Sequence, residues 1–289
     1  VSSLDLSGCT AADARLVLAG LRSGGSPGAL RSLSLGGVDA SGAADLSETF
    51  KGLSGLTSLD VSGWDVSSAT SLASMFEGCS SLESLDLSGW DVSSAKSLSS
   101  MFRGCSSLES LDVSGWDTSA ATSMAGTFHG CSSLKSLDVS GWDASGVSAF
   151  ATGETYGLVP SGGKDKAWVP AGTFSCCSSL ESLDLSGWGV SSAADLSAMF
   201  AGCKSLRSLD LSGWDVSGAK SMEYMFCDCS SLRSLGLSGW RASSSTPLSA
   251  MFGSDAYPSW AGPKVSSLDL SGCTAADARL VLAGLRSGG

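Results

Sequence analysis

Apolar positions along this chain alternate briefly with polar ones, then recur at three- and four-residue spacing, and the whole pattern returns with a 26-residue period. In the clearest unit Leu85 and Leu87 fall on one face of an extended segment, and Ser84, Asp86 and Ser88 fall on the other. That period of two predicts a short strand. After the Ser-Gly-Trp turn at 88–90, Ala95, Leu98, Met101, Phe102 and Cys105 follow at helical spacing. They predict a short helix capped by Ser93 or Ser94 and ended by Gly104. The leading strand leucines are Leu4, Leu33, Leu59, Leu85, Leu111, Leu137, Leu183, Leu209, Leu235 and Leu268. Most of their intervals keep the 26-residue period, as from Leu59 to Leu85, and the steps from Leu4 to Leu33, Leu137 to Leu183 and Leu235 to Leu268 are longer. One unit cannot bury its apolar face alone. Stacking therefore gives an α/β solenoid with a parallel sheet on one face and short helices on the other.

Leu82, Leu85 and Leu87 match the L-x-x-L-x-L pattern of leucine-rich repeats. The first unit, with a longer helical pattern over Thr10–Leu21 and a 29-residue spacing, resembles the ribonuclease-inhibitor type. The 26-residue units, reading S-L-x-S-L-D-L-S-G-W-D-x-S and M-F-x-G-C-S-S-L, resemble the bacterial surface-protein repeat called BspA-like or DUF285. This resemblance implies a cell-surface or secreted protein associated with adhesion. Members often carry Asn-Val-Thr-Asn-Met where this chain has Ser94-Ala95-Lys96-Ser97-Leu98, so a role resting on those asparagines does not carry over.

Residues 265–289 repeat residues 1–25 without a change, at a 264-residue offset. The internal repeats have drifted apart, so two identical copies point to a tandem array. On this reading residues 1–264 are one module of nine repeats and 265–289 open the next identical module. No polar end repeat is evident at either terminus, as expected of a segment cut from such an array. At about 4.8 Å per stacked strand a module advances roughly 45 Å, so many modules would make a fibre. A designed duplication or a closed ring are the alternatives.

Stacking turns each repeat position into a column. One aspartate column contains Asp5, Asp60, Asp86, Asp112, Asp138, Asp184, Asp210 and Asp269, and a second contains Asp39, Asp65, Asp91, Asp117, Asp143 and Asp215. Carboxylates about 5 Å apart are expected to repel, raising some pKa values or recruiting cations or hydroxyls. Without a calcium-loop spacing, no metal site is assigned. Trp64, Trp90, Trp116, Trp142, Trp188, Trp214 and Trp240 form a ladder read as buried structure. Cys79, Cys105, Cys131, Cys177, Cys203 and Cys229 form another column, favoured as buried thiols over disulfides, while Cys176 and Cys227 lie off it and are the expected reactive or bridging pair.

Charge and composition then narrow the function. A net charge of -11 argues against nucleic acid and anionic membrane. No apolar run is long enough to span a bilayer, and without any asparagine in the chain Asn-linked glycosylation is excluded. Catalysis is not expected. His129 is the only histidine, read as a solvated surface residue, and the G-x-S-x-G letters at 24–28 lack the strand before them that a nucleophile elbow needs. No cofactor is called for.

Two insertions, about 153–172 and 253–264, break the period. They carry Tyr156, Lys164, Lys166 and Trp168, and Tyr257 and Trp260. These are the candidate binding residues, because insertions in a solenoid map to surface loops that make contacts. The expected function is a structural or adhesive extracellular repeat protein, a segment of a tandem-module fibre or giant cell-surface protein. Its partners would be neighbouring modules or fibre strands, surface proteins or glycans. A ligand-binding receptor ectodomain is the alternative, and ice binding a weaker third because the central column is Asp rather than Thr.

Overall fold

The computed structural model describes residues 2–23, 27–158, 167–243, 246, 248–252 and 263–287. The chain winds as a stack of coils, and each turns back on itself with the 26-residue period, so that Thr57 Oγ1 donates to Arg31 C=O one coil earlier. Parallel strands line the front at both ends: β1 (Ser3–Asp5), β2 (Ser32–Ser34) and β3 (Ser58–Asp60) form one sheet, and β6 (Ser208–Asp210), β7 (Ser234–Gly236) and β8 (Ser267–Asp269) another. The register sets leucine on leucine, Leu4 beside Leu33 beside Leu59 and Leu209 beside Leu235 beside Leu268. In the middle coils the front segments keep single backbone bonds, such as Glu109 N–H to Glu83 C=O at 3.1 Å.

Helices behave differently from the sequence expectation. The long one forms: α1 (Ala11–Ser23) and its copy α2 (Ala275–Ser287). Its start is a reciprocal cap, in which Asp13 N–H donates to Thr10 Oγ1 (3.2 Å) and Thr10 Oγ1 donates to Asp13 Oδ2 (2.8 Å). The short helices of the 26-residue units do not form. Residues 97–105 instead make a chain of turns, with Met101 N–H on Leu98 C=O and Arg103 N–H on Ser100 C=O. The alternate N–H groups leave the coil: Leu98, Ser100, Phe102 and Gly104 donate to Ser123, Ala125, Thr127 and His129 of the next coil at 2.7–3.0 Å. Serines compete with helical bonding, and the inter-coil ladder takes the donors a helix would need. Two columns at positive φ close these turns, one through Glu48, Ser74, Ser100, Gly126, Ala198 and Tyr224, the other through Gly52, Gly78, Gly104, Gly130, Cys176, Gly202 and Asp228. The apolar spacing of three and four is thus the spacing of turns, which mimics a helix in sequence.

Between front and back lie two aromatic ladders. Phe50, Phe76, Phe102, Phe128, Phe174, Phe200, Phe226 and Phe252 stack at centroid spacings of 5.2–5.8 Å. The tryptophans stack beside them, Trp116 on Trp142 at 5.9 Å and Trp142 on Trp188 at 6.2 Å. All are buried, and most indoles bond back one coil, as Trp142 Nε1 does to Val113 C=O at 3.0 Å. The cysteine column is buried as thiols, each Sγ donating to a phenylalanine carbonyl of the preceding coil at 3.1–3.2 Å. Burial pushes the Cys79 thiol up to about 12.

Candidate binding surfaces

The first insertion is not a loop. Its described residues pair as an antiparallel hairpin, β4 (Ala151–Leu158) with β5 (Ala167–Gly172). It stands where the preceding coil has only Ala125–Gly126, since Met124 N–H bonds Ala149 C=O and Phe128 N–H bonds Thr173 C=O on either side of it. Its base is welded to the solenoid. Val169 and Ala171 are buried, and Val169 packs with Ala198, Ala201 and Cys227, flanked by Cys176 and Tyr224. Gly172 lies so close to the next coil that a Cβ there would come within 2.4 Å of the Ala198 carbonyl oxygen.

The hairpin brings two of the candidate residues together: its register sets Tyr156 opposite Val169 and Gly157 opposite Trp168. Lys164, Lys166, Tyr257 and Trp260 lie outside the described residues. On the near side an ion-pair chain runs across the coils to the hairpin, from Glu48 to Lys51 (2.9 Å), Lys51 to Glu77 (3.2 Å), Glu77 to Arg103 (3.8 Å) and Arg103 to Glu154. Such half-exposed pairs add little stability singly, but as a network they fix orientation. Because these partners sit on different coils, and Glu154 on the hairpin itself, no local motif marks the pairing.

His129 is the second departure from expectation. It is buried, only 9% exposed, in a column where Lys51, Glu77 and Arg103 of the earlier coils are half-buried and Ser175, Ala201 and Cys227 of the later coils are buried. Its Nδ1 lies 2.6 Å from Ser175 Oγ, and that hydroxyl donates to Gly172 C=O at 2.8 Å. With its one proton committed, Ser175 Oγ accepts from the imidazole, which fixes the Nδ1–H tautomer. Burial first, then the Arg103 guanidinium, holds the imidazole pKa down to about 4. Ser175 is wholly buried, so this serine and histidine form a structural clasp. Cys227, expected to be reactive, is likewise buried, and burial raises its thiol pKa; Cys176 is half-buried.

The sheet face offers a shallow groove of about 790 Å³ along the later coils, lined by Asp138, Asp184, Asp210 and Asp269 with Leu137 and Leu183 among others. The aspartates do not behave as a repelling column. Each anchors its own turn: Asp86 Oδ1 accepts the N–H of Ser88 at 3.0 Å, and Asp112, Asp184, Asp210 and Asp269 do the same two residues on. Serine hydrogen bonds lower the pKa of Asp86, Asp112, Asp184 and Asp210, and where a neighbouring carboxylate opposes this, as Asp86 does at Asp112, its influence is smaller. The same Ser-capped arrangement holds in the second column at Asp65, Asp91 and Asp117. Among the described residues no group of three or more acidic, Cys or His side chains is placed to hold a metal ion, and no helix is long and apolar enough to cross a membrane.

No curated protein matches the chain. Among solved structures, an internalin (InlF) of Listeria monocytogenes is 15% identical with a TM-score of 0.32, over 91% of this chain and 67% of that one. A leucine-rich-repeat protein of Leptospira interrogans is 14% identical with a TM-score of 0.29, over 90% of this chain and 60% of its own. The family described as "Mycoplasma protein of unknown function, DUF285" matches residues 40–153 and 171–260, and the gap between the two stretches falls on the hairpin. The match covers most of the chain, and this leucine-rich-repeat solenoid belongs to the DUF285 family.

Proposed function

We propose that the chain is a structural, adhesive segment of an extracellular or cell-surface tandem-module protein, non-catalytic, which meets protein or glycan partners through its hairpin. The observation that carries this reading is the docked hairpin. It departs from the 26-residue repeat, and Val169, Ala171 and Gly172 lock its base onto the coils. A binding element held rigid on a stiff scaffold loses little entropy on association. Tyr156 and Trp168 on its paired strands are large amphipathic side chains of the kind that anchor interfaces. Lys164, Lys166, Tyr257 and Trp260 are proposed to share in these contacts.

The test is binding of the 289-residue chain to a glycan array and to cell-surface protein fractions, with Tyr156→Ala and Trp168→Ala variants. Loss of about tenfold or more for either variant, with the melting temperature unchanged, is expected of an anchor residue. Binding that is indifferent to both variants overturns the hairpin as the contact element. The receptor reading keeps one supporting observation, the groove of about 790 Å³ on the sheet face. Under that reading Leu183→Arg, and not the hairpin variants, abolishes binding.

A further inference from the structure

Because residues 265–289 are identical to residues 1–25, the structure shows one amino-acid sequence seated in two ways. In the first copy the helix buries Ala11, Ala14 and Leu18 against the coil that follows it, while Leu16 is 73% and Val17 42% exposed. In the second copy the helix rests on the coil that precedes it, at the short 3-10 helix Leu248–Phe252. There Val281, the counterpart of Val17, is buried, whereas Leu282, the counterpart of Leu18, is 42% exposed. Ala275 is exposed and Ala278 half-exposed. Positions 17/281 and 18/282 thus exchange burial between the two copies, whereas Leu16 and its counterpart Leu280 are exposed in both.

A polar contact repeats the asymmetry. Arg15 reaches the following coil and donates to the carbonyls of Asp45 and Ser47, the latter at 3.2 Å. Thr10 adds a parallel bridge to Asp39. Arg279 is exposed and makes no such bond among the described residues.

We infer that this 25-residue segment is a two-faced joint, and that the open face of α2, carrying Ala275, Ala278, Arg279 and Leu282, is a docking surface for residues 29–55 of a second copy of the module. The occupant follows from the interface already present: an identical helix holds that same coil through Ala11, Ala14, Arg15 and Leu18. Joined at the 264-residue offset, two modules then share one such segment, and the solenoid continues across the boundary without a spacer. This deepens the tandem-module reading and rests on it; adhesion and cell-surface location are not involved, so a binding assay and the following test fail separately.

Limited trypsin digestion reads the joint through the masses of its fragments. In the 289-residue chain, cleavage after Arg279 should outpace cleavage after Arg15, whose guanidinium is clasped. In a polypeptide with residues 1–264 placed directly before the 289-residue chain, the Arg15-equivalent of the middle segment should become at least about tenfold slower to cut than Arg279 of the single chain, the loss expected when local opening must precede cleavage. Leu282→Asp should leave digestion of the single chain unchanged, and the matching substitution in the middle segment should restore rapid cutting. A middle segment cut as fast as Arg279 of the single chain, or one whose protection survives the substitution, overturns the proposal.

Discussion

His129 Nδ1 donates to the hydroxyl of Ser175, 2.6 Å away, and thereby ties the coil before the hairpin to the turn that follows the hairpin's second strand. The contact joins equivalent positions of successive coils, as Ser178 Oγ to the Ser132 carbonyl does, with the hairpin inserted in the step between them. Its consequence is a pH dependence. The fold holds the imidazole neutral with a pKa lowered to about 4 from the usual 6.5, through burial and then the Arg103 guanidinium.

Between those values the unfolded chain binds the proton and the folded chain does not, so stability rises with pH in this window. The contribution is complete above about pH 6.5 and is lost as pH falls toward 4. Its full size is on the order of 3 kcal/mol. Urea unfolding midpoints should fall between pH 7 and pH 4.5 for the wild-type chain and stay flat for His129→Gln, which keeps a donor for Ser175 without the titration. The aspartate columns do not confuse the result, because Asp86, Asp112 and Asp210 have lowered pKa values and act only below the usual carboxylate range. Equal slopes for the two proteins would remove His129 as the cause.

The tryptophan ladder allows a comparison within one column. Trp142 donates its indole N–H to Val113 C=O at 3.0 Å, whereas the buried Nε1 of Trp116 has no partner. Both rings are buried and they stack on each other at 5.9 Å. Replacing either by Phe removes similar area, but only at 142 does it also remove a hydrogen bond, leaving Val113 C=O with the Trp116 N–H alone (3.2 Å). Trp142→Phe should therefore destabilise more than Trp116→Phe by about 1 kcal/mol, measured as the difference in unfolding free energy. The reverse order would mean that ring packing, and not the indole bond, sets the cost.

Much of this fold was legible because its repeat is strict. The leucine, tryptophan and cysteine columns at 26-residue spacing located the coils and their core, and the helical pattern over Thr10–Leu21 located the true helix. The back face was misread for a physical reason: Leu98, Met101, Phe102 and Cys105 keep helical spacing, yet their N–H groups bond in alternation to their own turn and to the next coil. Nothing local in sequence distinguishes those two uses of a donor. The hairpin escaped notice because Val169 and Ala171 look like any short apolar run until the alanines of the coils behind them, Ala198 and Ala201, are placed in contact.

Removal of residues 153–172 is the sharpest test of how the hairpin joins the coil. The deletion leaves Ala151 and Thr152 between Phe150 and Thr173, two residues where the preceding coil has Ala125 and Gly126 between Met124 and Thr127. The length is therefore that of an ordinary coil, and the solenoid should close. Thr152, however, would fall in the column where Gly126 has φ 64° and Ala198 φ 53°, a conformation that a β-branched residue resists. That strain should cost about 1–2 kcal/mol, in addition to the cover that Val169 gives Ala198, Ala201 and Cys227. Adding Thr152→Gly to the deletion should recover the strain but not the lost cover, so the double variant should melt between the deletion and the intact chain. If the deletion alone unfolds the chain and glycine does not rescue it, the hairpin is required for folding of the coils beneath it. A deletion as stable as the intact chain would show instead that neither the turn geometry nor the Val169 cluster contributes.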